Sequence, residues 1–160
     1  MAIERTFVII KPDGIQRQIV GKIIQRFEDV GLKIVGMKMI WMDKEFSRNH
    51  YKAHVDKAFY NGLEAFMTEG PVVAFVLQGL HAVDLIRKMV GPTEPHKALP
   101  GTIRGDFSHH SYTYTDAKGI AIKNVIHASG NEEEAKQEIA LWFKNNEIHD
   151  YNTVHEKHVF

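Results

Sequence analysis

The sequence contains no cysteine among its 160 residues. This absence excludes disulfide bonds, thiolate metal sites and cysteine nucleophiles. Neither sign of charge is in excess, because 20 basic residues balance 20 acidic ones, so no overall positive field favours non-specific binding to nucleic acid. No apolar run is long enough to span a bilayer, and residues 1–5 lack the apolar character of a signal peptide. We therefore expect a soluble cytoplasmic protein with no membrane partner and no specific nucleic-acid partner.

Two common phosphate-binding loops are also missing. The sequence has neither the Gly-x-x-x-x-Gly-Lys-Ser/Thr pattern nor the Gly-x-Gly-x-x-Gly pattern. Any phosphate that this chain binds must therefore be held by side chains rather than by a backbone cradle.

The composition is that of a folded domain, with 44% hydrophobic and 25% charged residues. The length predicts one domain over residues 1–160. Apolar runs predict strands at 6–10, 32–42, 72–77 and 124–127, and a small hairpin at 111–122. Apolar periodicity predicts helices at 20–30, 47–55, 62–69 and 82–90, and a last helix capped by Ser129 or Asn131. Residues 91–107 show no periodicity and are expected to form a long loop.

This order of elements predicts an α/β (α+β) sandwich. The simplest arrangement is a ferredoxin-like four-stranded antiparallel sheet, made of two split βαβ units, with helices packed on one face. A doubly wound parallel sheet is the alternative, although the long second strand and the late hairpin argue mildly against it.

One histidine stands in a setting that favours chemistry. The stretch Asn124-Val125-Ile126-His127 reads as a short buried strand that delivers an imidazole to its end, and a helix begins soon afterwards. Neutral imidazole is nucleophilic near pH 7. A helix N-terminus beside it favours a phosphate group.

Several cations and hydroxyls could hold that phosphate. Each has an ordinary interpretation when taken alone: a solvated lysine at a strand end, a surface arginine, a threonine that caps a turn, or an arginine paired with Asp106. Together they match the needs of a triphosphate, whose oxygens are satisfied by guanidinium groups and hydroxyls and whose charge is neutralised by cations. They are Lys11, Arg87, Thr93, Thr102 and Arg104.

Five separated and ordered motifs resemble the nucleoside diphosphate kinase family over nearly the whole chain. The first is Lys11-Pro12-Asp13-Gly14, and the second is His50-Tyr51 followed by Phe59-Tyr60-Asn61-Gly62-Leu63. The third joins residues 67–70 to Pro71-Val72-Val73-Ala74, and the fourth spans residues 93–107 with Pro100-Gly101-Thr102-Ile103-Arg104-Gly105-Asp106-Phe107. The last is Asn124-Val125-Ile126-His127 with the helix that contains residues 138–143.

The resemblance implies a role for each matching position. His127 matches the histidine that becomes a transient pros-phosphohistidine, and Phe59 matches the aromatic that stacks on the base. Ser129 and Glu138 match a pair that orients the catalytic ring. The residues that match positions around the phosphates and ribose are Lys11, Tyr51, Arg87, Thr93, Arg104 and Asn124.

The resemblance also implies the reaction and its partners. The γ-phosphate of a nucleoside triphosphate, mainly ATP, passes to a nucleoside diphosphate by a ping-pong mechanism, which maintains the pools of NTPs and dNTPs. Mg²⁺ is carried by the nucleotide phosphates rather than by protein ligands, and members assemble as homohexamers or tetramers. Because the base stacks on Phe59 and makes few other contacts, the resemblance implies weak base selectivity.

The sequence departs from the family pattern at a few positions. Ala128 replaces the usual glycine after the histidine, and Gly130 stands where an aspartate that reaches Mg²⁺ is common. Ala53 and Ala58 replace an acidic residue and a proline. The segment at 108–122 is longer than in most members, and we interpret it as an inserted hairpin that modifies either the subunit interface or the edge of the site.

Two alternatives belong to other functional classes. A non-enzymatic ferredoxin-like module that binds nucleic acid would expose aromatic and basic residues on its sheet, whereas these strands carry mainly Val, Ile and Ala. A catalytically inactive paralogue would bind nucleotide without transferring phosphate. Histidine pairs such as His50 and His54 have a helical spacing that suits zinc, but they lack further ligands at suitable spacing, so we interpret them as surface or helix-facing residues.

Overall fold

The computed structural model describes residues 3–159. Its sheet has four strands in the order β2-β3-β1-β4, and every pairing is antiparallel. The strands are β1 (Ile3–Ile10), β2 (Lys33–Ile40), β3 (Val72–Leu80) and β4 (Ile126–Ala128). This sheet confirms the predicted ferredoxin-like fold class, and its antiparallel pairings exclude the doubly wound alternative.

The strands are joined mainly by short helices. Among the described residues, no helix is long and apolar enough to cross a membrane. The helices are α1 (Pro12–Gln16), α2 (Val20–Asp29), α3 (Lys44–His50), α4 (Tyr60–Thr68), α5 (Ala82–Val90), α6 (Ile103–Phe107), α7 (Tyr112–Lys118), α8 (Glu132–Trp142) and α9 (Glu156–Val159).

Helices cover both faces of the sheet, so the expectation of helices on one face is wrong. Alternate residues of β1 belong to two separate cores: Val8 packs in a core with α2 and α5, whereas Phe7 packs in a core with α4 and α8. Because β1 and β3 are apolar on both faces, each face needs its own cover.

Capping residues set the ends of α3 and α8. Asp43, rather than the predicted Ser47, caps α3 and accepts a hydrogen bond from the Phe46 backbone at 2.7 Å. Asn131 caps α8 in the same way. Ser129, the other candidate cap of α8, therefore keeps its hydroxyl for another contact.

The segment predicted as a hairpin contains a helix instead. Ser111 caps the start of α7, and Gly119 ends it with φ +63°, a conformation that favours glycine. The hairpin prediction for 108–122 is therefore wrong, although whether this segment is an insertion stays a prediction. The expected loop at 91–107 is also partly ordered, since it contains a 3₁₀ turn at Pro95–Lys97 and helix α6.

Candidate active site

His127 lies in the middle of β4, paired with Ile9 of β1. Its Nε2 is 2.7 Å from Oε1 of Glu138, and Oε2 of Glu138 accepts a hydrogen bond of 2.5 Å from the Ser129 hydroxyl. A carboxylate only accepts hydrogen bonds, so the proton resides on Nε2 and Nδ1 keeps its lone pair. Among residues 3–159 no hydrogen bond engages Nδ1, so its lone pair is unengaged.

A strained residue fixes the start of β4. Val125 has φ +71°, which is unfavourable for a β-branched side chain. Its backbone N–H donates to Oδ2 of Asp13 at 3.1 Å, and its carbonyl accepts from the backbone of Lys11 at 2.8 Å. These hydrogen bonds fix the turn that sets the orientation of His127. Asp13 stands in the motif Lys11-Pro12-Asp13-Gly14, but its role depends on a contact that the motif does not reveal.

His50 packs edge-on against the ring of His127. Its ring centroid is 4.9 Å from that of His127, with an interplanar angle of 83°. Its Nδ1 accepts the indole N–H of Trp142 at 3.2 Å, and burial, reinforced by His127, lowers its pKa well below the ordinary value. His50 is therefore a neutral, buried neighbour of His127, and the expectation of a surface or helix-facing histidine missed this contact.

The same neighbourhood could geometrically admit a metal ion. One ligand atom from each of His50, His127 and Glu138 lies within 4.8 Å of the others. The hydrogen bonds from Trp142 and Ser129 already occupy His50 and Glu138. The three side chains therefore already hold one another in place through the His127–Glu138 hydrogen bond and the His50–His127 ring contact.

Lys11 is not the solvated strand-end lysine of the ordinary interpretation. It is only 6% exposed, and its ammonium donates to Oδ1 of Asn124 at 2.7 Å. Asn124 in turn donates to the carbonyl of Thr93 at 2.8 Å. Burial, followed by the nearby Arg104, lowers the pKa of Lys11 to about 7, so this ammonium needs an anion to hold its charge.

Arg104 is buried and fixed by backbone carbonyls. Its acceptors are Gly91 at 3.0 Å, Asn124 at 3.2 Å and Ile126 at 2.6 Å. Burial, then Arg87, lowers the pKa of Arg104 to about 10. Asp106 does not pair with Arg104, because its carboxylate binds Arg26 at 2.8 Å. Arg104 is therefore a cation held by backbone carbonyls, and in the part of the chain that the structure describes it forms no direct ion pair.

One cavity of about 940 Å³ brings the predicted site residues together. Ser129 and Glu138 lie behind His127, and Thr102 serves as the cap of α6, with its hydroxyl bonded to the Gly105 backbone at 3.1 Å. The predicted residues that line the cavity are Lys11, Tyr51, Phe59, Arg87, Thr93, Arg104, Asn124 and His127.

The two ends of the cavity differ in character. Phe59 is 56% exposed, and its ring lies beside that of His54 and under the ammonium of Lys57. Tyr51 is buried, its ring centroid lies 6.3 Å from that of His127, and burial raises its pKa. The buried end is thus lined by cations and fixed hydrogen-bonding groups, which suits phosphate, and the exposed end suits a flat aromatic base.

The cavity is also lined by residues that were not predicted from the sequence. Glu134 on α8 accepts a hydrogen bond from the Gly130 backbone at 2.8 Å. A Cβ at position 130 would lie 2.8 Å from the same carboxylate oxygen, so glycine at this position makes room for the carboxylate. Residues of α7, including Tyr112 and Asp116, also line the cavity.

Comparison with known proteins identifies the family. A family model described as nucleoside diphosphate kinase matches residues 4–148. The chain belongs to the nucleoside diphosphate kinase family. A nucleoside diphosphate kinase of Borreliella burgdorferi is 46% identical over 156 residues, covering 94% of this chain and 93% of that protein. One from Pyrococcus furiosus is 51% identical over 149 residues, covering 93% of this chain and 88% of that protein.

Solved nucleoside diphosphate kinases share the fold. A transition state mimic of the Borrelia burgdorferi enzyme, with bound vanadate and ADP, matches with a TM-score of 0.94 and 44% identity, covering 98% of this chain and 96% of that one. A halophilic enzyme from Halobacterium salinarum in complex with CDP matches with a TM-score of 0.88 and 40% identity over 99% of both chains.

Proposed function

We propose that His127 carries the phosphoryl group in this nucleoside diphosphate kinase, which transfers the γ-phosphate of a nucleoside triphosphate, mainly ATP, to a nucleoside diphosphate. The observation that carries the assignment is the pairing of His127 Nε2 with Glu138, which leaves Nδ1 as the free nitrogen beside a cavity lined with cations. Nδ1 is the pros nitrogen, so the intermediate is a pros-phosphohistidine.

The reaction proceeds in two matched halves. The lone pair of Nδ1 attacks the γ-phosphorus in line, a P–N bond forms, and the P–O bond to the leaving diphosphate breaks. A second nucleoside diphosphate then binds the same cavity, and its terminal oxygen takes the phosphoryl group back as the P–N bond breaks. The same site serves both halves, because bonds of the same types are exchanged.

Glu138 and Ser129 prepare the ring for this step. Positive charge develops on the imidazole as Nδ1 bonds to phosphorus, and the Glu138 carboxylate at 2.7 Å stabilises that charge. The Ser129 hydroxyl holds the other carboxylate oxygen at 2.5 Å. The pair thereby fixes both the tautomer and the direction of His127.

The remaining residues bind the nucleotide. Lys11, Arg87 and Arg104 neutralise the phosphates and the leaving oxygens, because their charges converge on one cavity. Tyr51, Thr93 and Asn124 supply hydrogen-bonding groups around the phosphates and ribose, and Phe59 stacks on the base. Stacking accepts any base because every base has a π-face.

The cavity also fits a nucleotide that carries Mg²⁺. When bound, Mg²⁺ neutralises phosphate charge and prefers carboxylate and water oxygens beside the phosphates. Two carboxylates line the cavity, Asp116 and Glu134, and Glu134 lies on the first turn of α8, just after His127. We propose that the phosphates carry the ion and that Glu134 supplies the acidic group on this side of it.

We further propose a single domain over residues 1–160 that works in the cytoplasm as a homohexamer or tetramer. Among the described residues no helix could span a membrane. The edge strand β2 and its end expose Met37, Met39 and Trp41 by 57%, 59% and 66%, and large exposed apolar groups on one element favour self-association. Size-exclusion chromatography with light scattering tests the assembly.

Incubation with γ-labelled ATP and Mg²⁺ tests the central assignment. We expect an acid-labile, alkali-stable label on His127 that added GDP discharges. His127→Ala should still bind ADP but lose transfer by several orders of magnitude, whereas the control His149→Ala changes an exposed histidine outside the cavity and should label normally. No label on the unaltered chain at saturating ATP would instead identify an inactive nucleotide-binding protein.

A further inference from the structure

Helix α7 forms an additional wall of the nucleotide cavity. Four of its positions, counting the C-cap, face the cavity with the spacing i, i+3, i+4 and i+7, namely Tyr112, Thr115, Asp116 and Gly119. Between them, Thr113, Tyr114, Ala117 and Lys118 do not line it. A single stripe of the helix is therefore turned toward the place where the nucleotide binds.

This wall is fixed in position before any ligand arrives. The backbone N–H of Tyr112 donates to Oε1 of Glu94 at 2.9 Å, and Glu94 directly follows Thr93 of the cavity. The carbonyl of His110 accepts from the backbone of His96 at 3.0 Å. Because the wall is ordered in advance, a contact from it to the substrate loses little binding free energy to ordering.

Hydrogen bonds orient the wall along the cavity. Glu94, which binds the Tyr112 backbone, directly follows Thr93, and the carbonyl of Thr93 accepts from Asn124, which in turn accepts from the ammonium of Lys11. Asp116 stands one turn later, and Ala121, just beyond the C-cap of α7, would lie within 4 Å of a Cβ placed at Gly62 of α4, the helix that begins after Phe59. The start of α7 thus faces the phosphate end of the cavity, and the following turn faces the nucleoside end.

Tyr112 has a free polar group at this place. Its side chain is 42% exposed, and among residues 3–159 its hydroxyl makes no hydrogen bond. We propose that the Tyr112 hydroxyl donates a hydrogen bond to the phosphate chain of the bound nucleotide, so that α7 is a substrate-binding wall. This inference rests on the proposed function of the cavity and adds a residue to it.

The chain offers a closely matched pair of variants. Tyr112→Phe removes only the hydroxyl of the cavity-facing tyrosine. Tyr114→Phe makes the same change two residues along α7, at a side chain that is 51% exposed and does not line the cavity. Any general effect of losing a surface phenol from this helix will appear in both variants.

Titration calorimetry with ADP and with GDP, each with Mg²⁺, provides the test. A hydrogen bond to a charged group that is partly exposed predicts about tenfold weaker binding in Tyr112→Phe for both nucleotides, and no change in Tyr114→Phe. Equal affinities of the two variants would overturn the inference, as would a loss confined to one base, because that would make Tyr112 a base contact.

Labelling distinguishes failure of the Tyr112 contact from failure of the proposed function. If the unaltered chain labels His127 but Tyr112→Phe binds ADP as tightly as Tyr114→Phe, only the role of Tyr112 fails. If the unaltered chain binds ADP but shows no label, the proposed function fails whatever Tyr112 does.

Discussion

Replacing Glu138 by glutamine changes the chemistry behind His127 without changing the shape of the side chain. Glu138 accepts two hydrogen bonds, one from His127 Nε2 and one from Ser129. An amide offers one accepting oxygen and one donating nitrogen, so only one of those donors can be satisfied as before. The Ser129 hydroxyl can then accept from the amide and donate to the Phe7 carbonyl, which lies 3.3 Å away.

The size of the effect follows from what the ring loses. In that arrangement His127 keeps its tautomer but loses a charged partner at 2.7 Å whose side chain is only 14% exposed. A hydrogen bond to a charged group contributes about 1.5–3 kcal/mol, which corresponds to roughly 10- to 150-fold in rate. The opposite amide orientation would move the proton to Nδ1 and block attack entirely.

Single-turnover quench-flow with labelled ATP measures the step directly, because it follows phosphorylation of His127 before any release step. We expect Glu138→Gln to slow this phase by 10- to 150-fold. The control Glu133→Gln changes a neighbouring glutamate on α8 whose side chain, among residues 3–159, bonds only to Gln137, and it should match the unaltered chain. A phosphorylation rate for Glu138→Gln within twofold of that control would refute the role of Glu138.

Three further predictions concern charge, metal and packing. With its pKa near 7, Lys11 is mostly neutral at pH 8, and the charge of a bound phosphate should make it take up a proton. Calorimetry in buffers of different ionisation enthalpy should therefore show proton uptake when ADP binds at pH 8. This uptake should fade below pH 6, where Lys11 is already charged, and should be absent in Lys11→Met. Glu134→Gln should reduce the ratio of ADP affinities with and without Mg²⁺ by about three- to tenfold, whereas Glu133→Gln should leave it unchanged. In Gly105→Ala the new Cβ would lie 2.1 Å from a backbone oxygen, so denaturant titration should show that the free energy of unfolding falls by about 1–3 kcal/mol. The control Gly21→Ala places a Cβ with nothing within 4 Å, and its stability should be unchanged or higher.

Local pattern in the sequence was sufficient to predict all four strands of the sheet. Apolar runs located β1 and β3, alternation of apolar and polar residues located β2, and a polar residue followed by Val125 and Ile126 located β4 with His127. The same method failed at α7, because the alternation of Tyr and Thr at 111–115 imitates a strand. The helix there is decided by Ser111, Gly119 and the distant Glu94, and only the first two are local.

Some residues of the candidate site could also be predicted from local sequence, and others could not. Residues with distinctive chemistry, such as Lys11, Arg104 and His127, could be singled out from the sequence and the family resemblance. Asp13 and Glu134 could not, because their contacts depend on the folded chain: Asp13 reaches Val125 across 112 positions. Glu134 accepts from the Gly130 backbone at a place where a Cβ at position 130 would make its carboxylate shift.

The late position of β4 in the chain has a consequence for biosynthesis. Strands β1, β2 and β3 precede residue 81, whereas His127 and Glu138 belong to the final third. A nascent chain that ends before residue 126 can therefore pair β1, β2 and β3 but lacks His127. Under the proposed function, such a chain is not phosphorylated, and labelling begins only once α8 with Glu138 has been added.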